Sequence, residues 1–159
     1  MSNRNISEQG NHLSQPTLNP APVHFIDERG YLLKFVRSTD ISHFGELYLI
    51  GDWTSGIIRA FHKHEKMEEW FSVIKGSAKF VLFDDRPESP QHGVLRYYIL
   101  SARRPELLYV PTGVYHGHMA LENETQTLAV ASQPYDPAKP DEVRASYDSF
   151  GVEWMAKPI

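Results

Sequence analysis

Three histidines and one glutamate carry the most evident chemistry in this chain. His62 and His64 flank Lys63. In a strand, side chains alternate between faces, so both imidazoles would point the same way and form a two-point clamp. Glu69 lies five residues after His64, on a run leading into Gly76, where a turn would bring the chain back. A carboxylate there could complete three protein ligands. His116 follows Pro111-Thr112-Gly113-Val114-Tyr115, a turn and then a return toward the same wall, and is a natural fourth ligand. Three neutral imidazoles plus one carboxylate suit Mn, Fe, Co, Ni, Cu or Zn better than Ca or Mg, which prefer all-oxygen shells.

The elements that must position these side chains read as short strands. Tyr31 to Phe35, Leu47 to Ile50, Gly56 to Phe61, Trp70 to Ile74 and Ala78 to Phe83 are β-rich runs, as are Leu95 to Leu100, Leu107 to Val110 and Thr127 to Ala131. Gly, Pro, Ser and Asp separate them at short intervals, the pattern of an all-β sandwich or barrel. Only Pro140 to Tyr147 looks helical, because it opens Pro-Asp-Glu in the order that helix starts favour. Residues 1–22 are polar, with little apolar periodicity, and read as a flexible N-terminal arm. Residues 23–159 then form a single domain, since 159 residues suffice for one hydrophobic core and fall short of two.

Composition narrows the partners. A net charge of -4 offers no broad attraction to nucleic acid or to anionic membrane. No apolar run approaches about 18 residues and no basic-then-apolar start resembles a signal peptide, so a soluble, cytoplasmic protein is expected. Cysteine is absent, which removes disulfides, thiolate nucleophiles and zinc–sulfur sites together. The eight histidines become the obvious source of chemistry.

The spacing Gly56, five residues, His62-Lys63-His64, four residues, Glu69, six residues, Gly76 resembles the first cupin motif at every defined position. Pro111-Thr112-Gly113, two residues, His116 is similar to the second motif, with Ala120 where Asn is usual. The resemblance implies an all-β fold, a small antiparallel barrel of the jelly-roll type, with His62, His64, Glu69 and His116 as a metal set.

A narrower resemblance covers most of Phe25 to Trp154. Asp27-Glu28-Arg29-Gly30-Tyr31, Gly56-Ile57-Ile58-Arg59-Ala60-Phe61-His62 and Val110-Pro111-Thr112-Gly113-Val114-Tyr115-His116-Gly117-His118 resemble segments of the dTDP-4-dehydrorhamnose 3,5-epimerase family. So do Tyr135-Asp136-Pro137 and Gly151-Val152-Glu153-Trp154. That resemblance implies His62 as the base that takes a proton next to a sugar ketone, and Tyr135 as the acid that returns one. It also implies Arg59 and Arg29 on the diphosphate of a nucleotide-sugar, a carboxylate partner for the base near Asp148, and a homodimer into which the N-terminal segment crosses. A neutral imidazole is a suitable base at neutral pH, and a guanidinium fork suits a diphosphate.

The chain departs from the family pattern at two of its four cluster residues. His64 stands where the epimerases typically carry Gln, and Glu69 where they carry a Lys expected to stabilise the developing enolate. A carboxylate would repel that enolate unless a cation is bound. Three readings therefore stand side by side. One is a sugar-nucleotide epimerase or isomerase with His62 as base and no cofactor. The second is a metal-dependent cupin isomerase or dioxygenase in which His62, His64, Glu69 and His116 bind a divalent transition metal. The third is a non-catalytic sugar-binding cupin. A nitrogen bound to metal has no lone pair left for a proton, so His62 is a base or a ligand and not both.

Overall fold

The computed structural model describes residues 14–20 and 23–156, and the chain they trace is almost wholly β. Its strands are β1 (Thr17–Pro20), β2 (Val23–Asp27), β3 (Gly30–Leu33), β4 (Glu46–Asp52), β5 (Ile58–Lys63) and β6 (Glu69–Lys75). They continue with β7 (Ser77–Asp84), β8 (Leu95–Ser101), β9 (Glu106–Val110), β10 (Val114–Ala120), β11 (Thr125–Ala131) and β12 (Val143–Arg144). Two five-stranded sheets, in the orders β1-β9-β6-β11-β4 and β12-β5-β10-β7-β8, make the small antiparallel barrel that the motifs implied. Strands β2 and β3 pair with each other as a separate hairpin.

Alternation along the strands decides what fills the barrel. Phe71 and Val73 of β6 and Ala78, Phe80 and Leu82 of β7 meet Leu100, Leu108, Val110, Val114 and Ala129 between the sheets. Burying each large apolar side chain of this set contributes about 1.5–3 kcal/mol. Residues of opposite parity form two outer clusters. Trp70, Leu107 and Val130 pack under Val36 and Ile41, while Phe61, Val81, Tyr115 and Met119 pack with Trp154 of the closing segment. Strand β10 is consequently buried along its whole length.

Two sequence expectations meet the structure differently. Of the stretch 1–22 read as an arm, residues 1–13 and 21–22 lie outside the described residues, while Thr17–Pro20 forms β1 and pairs with β9. The ordered sheet therefore reaches back before Val23. The short C-terminal helix expected over Pro140 to Tyr147 does not form. Val143 and Arg144 instead extend along the edge of β5, opposite Lys63 and His62, and Phe61 and Ala145 exchange backbone hydrogen bonds. Asp141, which suggested a helix start, accepts from the backbone N–H groups of Glu65, Lys66 and Met67 at 3.2, 2.8 and 2.9 Å. A helix of two turns is marginal in water, whereas the open edge of β5 supplies ready backbone partners. Among the described residues only a 3₁₀ turn, Ser149–Gly151, follows. Among the described residues no helix is long and apolar enough to cross a membrane.

Candidate functional site

Strand β6 sends Glu69, Phe71 and Val73 inward, so the carboxylate that heads the strand enters the barrel above its apolar filling. Glu68, one residue earlier, is on the opposite face and accepts a hydrogen bond from the Tyr109 hydroxyl at 2.5 Å. His62 and His64 share the inward face, while Lys63 points out to Asp85 and lies 4.9 Å above the Tyr115 ring. His116 enters from β10, directly opposite His62.

These four side chains converge. One ligand atom from each of His62, His64, Glu69 and His116 lies within 4.8 Å of all the others. Glu69 Oε2 is 2.8 Å from His116 Nε2, 3.4 Å from His64 Nε2 and 3.9 Å from His62 Nε2. The imidazole orientations are fixed from behind. His64 Nδ1 bonds the Asp141 carbonyl, and His116 Nδ1 donates to the Val114 carbonyl at 3.1 Å. A neutral imidazole that donates from Nδ1 presents a lone pair at Nε2, the arrangement seen in metal-binding histidines. Tyr48 of β4 donates to Glu69 Oε1 at 2.5 Å, which leaves Oε2 as the oxygen aimed at the histidines.

The electrostatics follow from this packing. Burial alone pushes the Glu69 carboxyl up, but the His116 and His64 imidazoles outweigh it and hold the group well below its usual range. Burial, together with the neighbouring His116, pushes the His62 imidazole down to about 2, so it is neutral at ordinary pH. Burial raises the Tyr48 phenol and Glu69 raises it further, keeping it a donor. Glu69 Oε2 and His116 Nε2 are buried atoms that make no hydrogen bond of standard geometry. Two lone pairs at 2.8 Å repel, so a proton or a cation belongs between them.

A second polar group lies further along the same face, around Asp52 and His118. His116 is opposite His62 and His118 is opposite Arg59, but one residue separates the two histidines while Ala60 and Phe61 separate Arg59 from His62. This bulge puts Arg59 and His62 on one face, which strict alternation forbids for residues three apart. Gly117 permits it, since a Cβ there would lie 2.3 Å from the Ala60 Cβ and 2.7 Å from the Arg59 carbonyl oxygen. Arg59 Nε donates to Asp52 Oδ1 at 2.8 Å and Nη2 to the Gly51 carbonyl at 3.2 Å. His118 Nε2 bonds Asp52 Oδ2 at 2.8 Å.

The other expected site residues lie on turns. Asp148 accepts from the Ser146 hydroxyl, and the carboxylate beside His62 is that of Glu69. Tyr135 is about half-exposed in its Pro-flanked turn. Arg29 sits at the tip of the β2–β3 hairpin and pairs with Asp27. Sequence reasoning did not single out Tyr48, Asp52 or Asp141. For the first two the signal is only a shared face: Tyr48, Ile50 and Asp52 alternate with Leu47 and Leu49, and the structure is what turns the leucines outward. Asp141 shows none, since its partners are 74 to 77 residues away.

A family model described as dTDP-4-dehydrorhamnose 3,5-epimerase matches residues 17–159. The spore coat polysaccharide biosynthesis protein SpsL of Bacillus subtilis is 33% identical over 136 residues, which span 80% of this chain and 87% of that one. A probable low-salt glycan biosynthesis epimerase, Agl13 of Haloferax volcanii, is 28% identical over 143 residues, 82% of this chain and 88% of the relative. Among solved structures, a dTDP sugar isomerase from Desulfovibrio desulfuricans superposes with a TM-score of 0.78 at 26% identity, covering 89% of this chain and 92% of that one.

Proposed function

The chain belongs to the dTDP-4-dehydrorhamnose 3,5-epimerase family, and from that premise we propose that it epimerises or isomerises a nucleotide-linked 4-keto-6-deoxy sugar by removing a proton next to the ketone. The observation that carries this is the placement of His62. Its side chain is 33% exposed, against 8% or less for the other three members of the cluster, so it is the member a substrate reaches. Being neutral, it has a lone pair to accept the proton. Arg59, on the same face and 54% exposed, is the candidate contact for the diphosphate. Tyr135 is the candidate acid and Asp148 the candidate carboxylate partner, with Arg29 a second diphosphate contact.

The facing pair Glu69 and His116 favours a second reading of the same pocket. The donor set, three imidazole nitrogens and one carboxylate oxygen, fits a first-row divalent ion such as Fe, Mn, Co, Ni, Cu or Zn. His62, His64, Glu69 and His116 would hold it, and it would supply the positive charge that the family pattern takes from lysine. His62 would then be a ligand, and the reaction that of a metal-dependent isomerase or dioxygenase. Tyr48 orients Glu69, and the Val114 and Asp141 carbonyls orient His116 and His64, whichever reading holds.

Incubation in D₂O with dTDP-4-keto-6-deoxyglucose tests the first reading. Deuterium entering C3 or C5 is the expected result, and its absence at high enzyme concentration removes the proposal. Metal analysis of protein purified without chelator tests the second, with a stoichiometric ion lost in Glu69→Gln as the expected result.

We further propose a homodimer. In its support, among the described residues β2 and β3 pair only with each other, Tyr31 is 72% exposed, and Leu47 and Leu49 face outward at 56% and 55% on edge strand β4. A two-stranded hairpin is marginal alone in water, and such surfaces are usually covered. Sedimentation equilibrium gives the mass directly.

A further inference from the structure

Asp52 is a carboxylate with no exposed side-chain surface, held from two sides. Arg59 Nε donates to one oxygen and His118 Nε2 bonds the other, both at 2.8 Å. The two partners stand opposite one another across β5 and β10, so a single carboxylate ties the strands together at the level below His62. His118 is itself buried and stacks on Phe80, with centroids 5.2 Å apart, which fixes the direction from which it donates. Arg59 differs from both because half of its side chain is open. With Nε on Asp52 and Nη2 on the Gly51 carbonyl, its guanidinium plane is set and its remaining N–H groups are directed away from those acceptors.

We infer that Asp52, braced by His118, is the positioning residue that aims Arg59 at the diphosphate of the substrate. The inference rests on the nucleotide-sugar proposal above and adds the device that sets affinity. A free arginine pays rotamer entropy each time it binds a phosphate, and a preset fork pays less. Burial of Asp52 matters in this arrangement. A solvated aspartate would compete with the ligand for the guanidinium, whereas this one is satisfied by His118 and by the one edge of Arg59 that the ligand does not need.

The sign of one substitution separates positioning from simple charge. If Asp52 acted only as a counter-ion that weakens the field of Arg59, Asp52→Asn would tighten anion binding. If it aims Arg59, Asp52→Asn weakens binding. The test measures dTDP affinity by calorimetry in wild type, Asp52→Asn, Arg59→Ala and the double variant. Salt is held at 0.15 M, where charges further apart than about 8 Å are screened.

The expected result is a loss of about tenfold or more in Asp52→Asn, the size of one charge-assisted hydrogen bond misplaced. The same substitution should have no further effect in the Arg59→Ala background. In turnover, KM should rise while kcat stays within about twofold, because Asp52 touches no reacting atom. Unchanged or tighter dTDP binding in Asp52→Asn overturns the inference, as does a penalty that persists without Arg59. Wild type that binds neither dTDP nor inorganic pyrophosphate sinks the nucleotide-sugar proposal and this inference together. Should Asp52→Asn fail to fold, His118→Phe replaces it in the same cycle. That variant removes only the brace, and a several-fold loss confined to proteins that retain Arg59 is then the supporting result.

Discussion

Glu69 Oε2 and His116 Nε2 face each other at 2.8 Å inside the barrel, and the far nitrogen of that imidazole already donates to the Val114 carbonyl. The contact is therefore between two acceptors unless something positive lies between them. A proton makes it an ion pair, and a transition metal makes it half of a coordination shell. The site's behaviour toward metal follows from this pair and from the tyrosine behind it.

Tyr48→Phe removes the hydrogen bond to Glu69 Oε1 and frees the carboxylate to rotate. Metal affinity, measured by competition with a chromophoric chelator, should fall by about 10–100-fold, the usual cost of losing an outer partner of a ligand. Glu69→Gln should cost more, since it removes the anionic ligand itself. Equal affinities in wild type and both variants would show that the cluster is not a metal site.

His62→Asn removes the only cluster member that is a third open to solvent. Solvent deuterium exchange into the sugar should vanish, while dTDP affinity stays within about threefold, a change of less than 1 kcal/mol. Parallel loss of exchange and of nucleotide binding would make His62 structural.

The same side chain leaves a mark on stability. Burial and His116 push the folded His62 imidazole down to about 2, whereas in the unfolded chain it titrates near its ordinary value of 6.5. Between those values the unfolded state takes up a proton that the folded state refuses, so stability is lost progressively as pH falls below about 6.5. His64 contributes with the opposite sign. Burial lowers it, but Glu69 and Asp141 raise it further, and the stability it adds is lost as pH rises through its raised folded value. Urea melts of chelator-treated protein should show that His62→Asn is less sensitive than wild type between about pH 6.5 and 4. Parallel pH profiles would contradict the assignment.

Asp84, the last residue of β7, and Arg86 form another buried ion pair, with the Ser89 hydroxyl also donating to Asp84. Arg86→Ala strands that carboxylate and should destabilise the fold by about 3–5 kcal/mol, while Asp85→Ala, whose carboxylate is part-buried and pairs with Lys63, should cost less, about 1 kcal/mol. Chemical denaturation of the two variants side by side gives the comparison. Similar midpoints would mean that Asp84 finds another partner.

The sequence by itself settled the features that depend on alternation and spacing. Short β-rich runs bounded by turn residues located most strands to within a residue or two, and the two histidines of His-x-His share one face of a strand. The four-residue cluster followed from the motif spacing, and the fold brings it together by pairing His116 of β10 with His62 of β5 while Glu69 faces them from β6 of the other sheet.

Tertiary structure decided what depends on register and on distant chain. Nothing local says that an extra residue in β5 brings Arg59 onto the face of His62, because a bulge is defined only by the strand opposite. Pro140 to Tyr147 carries helix-start residues, yet the unpaired edge of β5 drew it into a strand, and Asp141 was spent on a loop more than 70 residues away. Glu68 and Glu69 are neighbouring carboxylates, and it is the facing of β6 that turns Glu69 into the barrel and Glu68 to Tyr109. Side-chain type and local period fix which chemistry is available, while backbone pairing across the barrel fixes which side chains meet.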